Sequence, residues 1–256
     1  ISFISFILIE RVQIEPVVDL KFFKIPTFSA SIVTSFISFG GMLGGLFLIP
    51  IFAQSVLGYS VTKSGYIFIP MAIALMISAQ IGARLSTKIP PRILTSVGMF
   101  FSAFMLFLFA GIDVRWTFFD ITWRLMLFAV GLGLGLAPLT NATTSTVPIH
   151  EVGVASSILA LARNIAGAFG VAVFATILSN SITANLLLLQ IHSAINTTNP
   201  TVLQTAAMLM ISKANILAYG TVFRTASLLV ALGGISALFV RESKKDFTHT
   251  SEPIEI

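Results

Sequence analysis

The chain has 256 residues, of which 56% are hydrophobic and only 10% charged, with a net charge of +5. A soluble domain carries roughly 25% charged residues, so this chain lacks the charge to solvate its own surface, and a mean hydropathy of +0.97 excludes disorder. With no cysteine it can hold neither a disulfide framework nor a thiolate metal site.

These figures describe an all-α, polytopic membrane protein. Its basic residues lie in short tracts between apolar runs, which orients membrane helices. They do not form the basic face that nucleic acid requires, so no nucleic-acid partner is expected.

In chain order, residues 1–9 are apolar but too short to cross a bilayer, since a crossing needs about 20 residues. They read as the tail of a preceding, truncated helix, and the chain reads as a fragment. A cytoplasmic linker follows at 10–27, and a six-helix bundle occupies 28–240. Its apolar runs cover about 28–57, 65–86, 92–112, 121–145, 152–179 and 219–240. The stretch 180–218 is polar at Asn196-Thr197-Thr198-Asn199-Pro200 and apolar at Leu186 to Leu189 and Met208 to Ile211. One or two interfacial helices outside the membrane are expected there. Asn196-Thr197-Thr198 is a glycosylation sequon, which matters only in a eukaryote. Residues 241–256 form a polar cytoplasmic tail.

Arg11, Lys21, Lys24, Arg84, Lys88, Arg92, Arg241, Lys244 and Lys245 fall on one side of these runs. Lys63, Arg115, Arg124, Lys213 and Arg224 fall on the other. Nine against five puts the C-terminus in the cytoplasm.

Small residues and prolines fall inside the spans. Gly131, Gly133 and Gly135, followed by Pro138, give one segment a bare backbone on several faces and then a kink; Gly167 and Gly170 lie in the fifth run. Such positions serve close packing or the moving helices of a transporter. Arg163 lies about eleven residues into the fifth run, roughly 15 Å along it at 1.5 Å per residue. A charge at that depth must face the bundle or a wet cavity. It either couples to a substrate in a translocation path or ties helices together. Every acidic residue lies outside the spans, so no carboxylate sits at membrane depth. Gln54, Gln80, Asn141 and Asn164 are uncharged polar residues within the runs, read as interhelical glue or as cavity candidates. Arg124, near Asp113 and Asp120, reads as a snorkelling anchor, with Trp116 and Trp123 in an aromatic belt. The Phe100 to Phe109 run reads as lipid contact. No His-Glu-x-x-His, Gly-x-Ser-x-Gly or paired intramembrane aspartates occur, so an enzyme is not expected.

Several segments, taken in order, carry a resemblance. They are Pro16 to Phe23; Leu48-Ile49-Pro50-Ile51-Phe52-Ala53-Gln54-Ser55-Val56-Leu57-Gly58-Tyr59-Ser60; Gly65 and Pro70; Gly131 to Leu136 with Pro138-Leu139-Thr140; and Val152-Gly153-Val154-Ala155-Ser156-Ser157 with Arg163, Gly167 and Gly170 to Val173. Together they resemble the C-terminal half of a major facilitator superfamily transporter, most nearly a fourteen-helix drug:proton antiporter of the EmrB/QacA type. The loop Ala83-Arg84-Leu85-Ser86-Thr87-Lys88-Ile89-Pro90-Pro91-Arg92 is similar to that superfamily's Gly-x-Leu-x-Asp-[Arg/Lys]-x-Gly-x-Arg signature. Leu85, Lys88 and Arg92 match, while Thr87 replaces the acidic residue of the cytoplasmic gate. Thr87 can cap a helix N-terminus but cannot form a salt bridge. Val130 stands where the family tends to have Arg.

The resemblance implies half of a secondary transporter in a bacterial inner membrane. Its partners would be the lipid bilayer, a small amphipathic substrate, and protons carried by a missing N-terminal half. No cofactor and no metal are implied. The rival reading is a truncated, non-transporting membrane protein or assembly partner, since alternating access needs two repeats.

Overall fold

The computed structural model describes residues 20–192 and 200–240. The expectations for 1–9, most of the 10–27 linker, the sequon and the 241–256 tail lie outside those residues. After a 3-10 turn at Leu20–Lys24 come α1 (Pro26–Ser55), α2 (Val61–Tyr66), α3 (Phe68–Leu85), α4 (Pro91–Phe109) and α5 (Phe118–Thr144). A 3-10 turn at Ile149–Glu151 leads into α6 (Val152–Ile191), and α7 is Pro200–Ala237. Six helical stretches are long and apolar enough to cross a membrane, α2 and α3 together making one of them.

The helix ends follow local chemistry. Pro26 and Pro91 open α1 and α4, where a missing N–H costs nothing. Thr117 and Asp120 form a capping box at the start of α5. α1 stops at a reversal where Gly58 takes φ +66°, a left-handed conformation open to glycine, and Tyr59 N–H reaches back to the Ala53 carbonyl at 2.9 Å. The one break inside a span is at Ile67, between α2 and α3. Pro70 follows at the third residue of α3, where its missing N–H breaks no helical bond. By contrast, α1 and α5 run continuously through Pro50 and Pro138, so the kink expected at Pro138 does not interrupt the helix.

The stretch 180–218 does not hold separate interfacial helices. α6 continues to Ile191 and α7 begins at Pro200. Their 40 and 38 residues are about 60 and 57 Å long at 1.5 Å per residue, twice the roughly 30 Å of a hydrocarbon core. Tyr219 of α7 already packs edge-on against Phe52, ring centroids 5.2 Å apart, near the end of α1. A Cβ on Gly220 would lie 2.9 Å from the carbonyl oxygen of Ala110, at the end of α4. Residues 200–218 therefore project beyond the ends of α1 and α4. Hydropathy located the bilayer-length part of each helix and missed the rest, because a helix leaving hydrocarbon needs no apolar sequence to remain helical.

The helices form a horseshoe. α3 packs on α5, α5 on α4, α4 on α7, and α7 on both α1 and α6, which also pack on each other. Exchanging the first three spans for the last three maps α1–α6 onto α5–α3 and α1–α7 onto α5–α4. This is the contact order of a nested repeat, except that the α6–α7 packing has no comparable α3–α4 counterpart. α4 and α7 close the back of the horseshoe. Phe100, Phe104 and Phe107 are exposed on α4 there, away from the open side, as lipid contact requires.

Bare backbone sets the spacing within each arm. Gly131 and Gly135 face α4: a Cβ on Gly98 would lie 2.5 Å from the Gly131 carbonyl oxygen and 2.7 Å from the Gly135 nitrogen. Gly133, between them, faces α3, where a Cβ on Gly82 would lie 2.9 Å from its oxygen. In the other arm, a Cβ on Gly44 of α1 would lie 2.7 Å from the Gly170 oxygen of α6. Hydroxyls reinforce these contacts. Ser78 donates to Ala129 O at 3.2 Å, Thr95 to Gly135 O at 3.1 Å, Ser102 to Phe128 O at 3.1 Å and Ser96 to Gly234 O at 2.8 Å.

A Cβ at Gly133 would stand 2.7 Å from the Ala79 nitrogen and 2.9 Å from the Leu75 oxygen, so Gly133→Ala forces α3 and α5 apart. The expected loss is about 1–3 kcal/mol, the usual range for overpacking, read as a lowered unfolding temperature in detergent. Gly153, with nothing within 4 Å of an added Cβ, is the control: Gly153→Ala leaves that temperature unchanged or slightly higher.

Candidate functional site

The open side of the horseshoe is a seam between α1/α6 and α3/α5. Contacts across it are sparse, whereas each pair is closely packed within itself. The helices at its outer edge are also the least covered. Buried residues make up 28% of the most apolar stretch of α2–α3 and 33% of that of α6, against half or more in the other four spans.

Arg163 of α6 crosses this seam. Its Nη2 donates to Thr140 Oγ1 of α5 at 2.8 Å, and its guanidinium carbon lies 4.9 Å from the ring centroid of Phe39 on α1. Three helices thus converge on one cation: α1 and α6, which pack closely on each other, and α5, which otherwise touches each of them sparsely. Its Nε is buried and has no hydrogen-bond partner. The Arg163 backbone is about 16 Å along α6. Thr140, however, is only four residues before the last residue of α5. Helical side chains lean toward their own N-terminus, so the guanidinium sits nearer that end of the bundle than its backbone does.

A groove of about 690 Å³ begins one turn further along. Leu43, Leu46, Phe47 and Pro50 of α1 form one wall, Gly167, Ala168 and Val171 of α6 the other, and Phe68 of α3 closes the far side. Leu43 and Gly167 are each four residues past Phe39 and Arg163, so the groove and the cation share one track. Pro50 has no N–H, which leaves the Leu46 carbonyl without its helical donor at this wall. A second groove of about 460 Å³ lies on the other arm, lined by Pro70, Ile73, Ile77 and Ile81 of α3 and Met126 and Val130 of α5. Its hydroxyl, Ser78, already donates within α3 and to α5.

The remaining expected residues take less central places. Gln54, Gln80, Asn141 and Asn164 are all exposed, and none of their side chains makes an interhelical hydrogen bond among the described residues. The glue role belongs instead to Ser78, Thr95, Ser96, Ser102 and the Ser236–Thr34 pair, 3.0 Å apart. The spacing of small residues Ser78-x-x-x-Gly82 and Gly98-x-x-x-Ser102 could have pointed to them. Gly167 meets Leu43 of α1, and Gly170 meets Gly40. Pro138 is buried in α5.

In the loop between α3 and α4, Arg84, Lys88 and Arg92 are exposed and form no ion pair among the described residues. Leu85 is half-buried at the end of α3. Thr87 does not cap α4; its hydroxyl donates to the Arg84 carbonyl at 2.8 Å, closing the end of α3. Pro90 precedes α4 with no side-chain cap. Arg124 is held by the Asp120 carbonyl at 2.6 Å and lies 4.2 Å and 4.5 Å from the Trp116 and Trp123 rings. Asp113 turns instead to the Arg115 N–H at 2.9 Å.

Six apolar helical spans around an open seam define a polytopic integral membrane protein. Residues 6–171 match the family model described as Major Facilitator Superfamily, and the chain belongs to that family. It is 32% identical over 73% of its length to the multidrug transporter protein MdtP of Bacillus subtilis strain 168, covering 34% of that protein. It is 30% identical over 67% of its length to the quinolone resistance protein NorB of Staphylococcus aureus strain bovine RF122 / ET3-1, covering 37% of it. Over 99% of its length it is 26% identical to the triacylglyceride transporter of Mycolicibacterium smegmatis, covering 47% of that protein. The chain thus spans between a third and a half of these relatives.

Replacing Thr140 by Val removes the acceptor that Arg163 uses and keeps the shape. Thr140→Val and Arg163→Gln are expected to couple by about 1.5–3 kcal/mol, the net worth of a hydrogen bond from a charged donor, in a double-mutant cycle read by unfolding. Additive single effects would mean that the contact does not hold the seam.

Proposed function

We propose that this chain is one half of a secondary active transporter that exports small amphipathic compounds, drugs among them, in exchange for protons by alternating access. The observation that carries the reading is the seam. A bundle of this family leaves a cation and an apolar groove on its open side, where a second bundle and a diffusible compound can both meet it. The printed names of MdtP and NorB add multidrug and quinolone handling among its relatives. The sparsely covered faces of α3 and α6 are the surfaces for a second six-helix bundle.

The proton carrier belongs in that second half. Among the described residues the acids are Asp113, Asp120 and Glu151, and all three lie at helix ends or in loops. A proton path through the membrane needs a titratable group at depth. By the positive-inside rule the exposed Arg84, Lys88 and Arg92 support a cytoplasmic location for this end of the bundle, and with it for the end of α7, in a bacterial inner membrane.

The test is accumulation of a panel of amphipathic dyes, cationic, neutral and anionic, in bacteria stripped of their own efflux pumps. Cells expressing the full-length gene that encodes this chain hold less of at least one dye, and a proton uncoupler abolishes the difference. No uncoupler-sensitive difference for any dye rejects the reading and favours a non-transporting membrane protein. Arg163→Ala is expected to weaken export at unchanged expression.

A further inference from the structure

We infer that the α1–α6 groove is the seat of an amphipathic organic acid, its anionic head on Arg163 and its apolar body against Leu43, Phe47 and Val171. This deepens the transport reading and rests on it in one respect: it takes a diffusible small molecule as the occupant.

The charge argument is direct. Arg163 keeps a permanent positive charge, because a guanidinium does not deprotonate in proteins. Of its five N–H donors, one is used by Thr140, and the buried Nε has no partner. No carboxylate competes for the rest among the described residues. Asp120 is bound to Arg124, Glu151 lies 3.8 Å from His150, and Asp113 accepts from the Arg115 N–H. A planar guanidinium with free donors matches the two oxygens of a carboxylate or a sulfonate. An organic cation placed in the same groove would meet fixed positive charge and no counter-ion.

The groove supplies the other half of the ligand. Its volume of about 690 Å³ lies within the roughly 300–1,000 Å³ of small-molecule sites. Its walls are apolar, which suits the hydrocarbon body of such a ligand. Phe39 and Arg163 stand one helical turn before Leu43 and Gly167, the first groove residues on α1 and α6. The pseudo-equivalent groove on α3 and α5 has no cation, and its hydroxyl is already bonded. Of the two grooves, only the one on α1 and α6 discriminates by charge.

The test uses the full-length protein that contains this chain, in phosphatidylcholine nanodiscs, with three fluorescent probes sharing one body: dansylaminoundecanoic acid, its methylamide, and the matching trimethylammonium. Binding is read by fluorescence titration against empty discs. The acid is expected to bind about tenfold tighter than the amide, on the order of one charge-assisted hydrogen-bond pair, and the ammonium weakest. Arg163→Gln erases the ratio of acid to amide and keeps amide binding. Ala168→Phe, on an exposed groove position, weakens both and keeps the ratio.

Equal binding of acid and amide by the unaltered chain overturns the proposal and needs no variant. So does a ratio that survives Arg163→Gln, or one that vanishes when phosphatidylglycerol enters the discs, which would assign the site to a lipid. Binding is read without a gradient, so the two readings fail separately. A chain that prefers the acid but exports nothing keeps this site and loses the transport reading. A chain that exports dyes without any preference for the acid does the reverse.

Discussion

Everything in this bundle depends on how closely one helix backbone can approach another. Lipid tails are as apolar as leucine, so helices in a bilayer gain nothing from hiding apolar faces from each other. What remains is van der Waals contact and hydrogen bonding at short range. The Gly131-x-Gly133-x-Gly135 segment gives α5 two bare faces, one to α4 and one to α3. Gly40 and Gly44 of α1 with Gly170 of α6 give the second arm the same device. Serine and threonine hydroxyls can reach carbonyls on a neighbouring helix only because the backbones are already that close. Glycine placement and hydroxyl bonding are thus one mechanism.

The same constraint explains why the seam is different. Across the seam, among the described residues, no glycine of α1 or α6 faces one of α3 or α5, the helices stay apart, and the space beside it becomes grooves lined by larger apolar side chains. Arg163 is the contact that spans the gap. It does so with a long flexible side chain, a hydrogen bond and a ring, none of which demands a fixed backbone distance. The arms are therefore closely packed within themselves and joined across the open side by one long, flexible side chain.

Much of this was legible in the sequence, because hydropathy reports the solvent around a helix. The six spans, the bare backbone of Gly131 to Gly135 and the isolation of Arg163 all follow from which residues hydrocarbon tolerates. The failures have one cause as well. Residues 180–191 and 200–218 read apart from their helices because their apolar runs, Leu186 to Leu189 and Met208 to Ile211, are interrupted by polar residues, yet helix formation needs only compatible backbone and propensity. Gln54, Gln80, Asn141 and Asn164 attracted notice by polarity, while the smaller hydroxyls that bridge helices did not. Polarity says that a partner is needed; it does not say which face the residue occupies. Thr140 and Phe39 were invisible as a site for a related reason. They lie on α5 and α1, and only tertiary packing brings them to Arg163.

The cost of Arg163 bears on what the seam can do. A guanidinium within a span costs at least about 2.5–3.5 kcal/mol. A hydrogen bond from a charged donor returns about 1.5–3 kcal/mol, and a cation over an aromatic face about 0.5–1 kcal/mol. Thr140 and Phe39 therefore offset most of that minimum cost, and what stays unmet is the buried Nε, which has no partner among the described residues. Had the cation needed a counter-ion to be tolerated, an empty site would strain the fold and a bound anion would be locked in place. Because the balance is nearly met without one, a ligand's interaction with the remaining donors adds binding without rescuing structure. Such a ligand can also leave at no structural cost. A carrier must release what it binds, and a nearly self-sufficient cation in the seam meets that requirement.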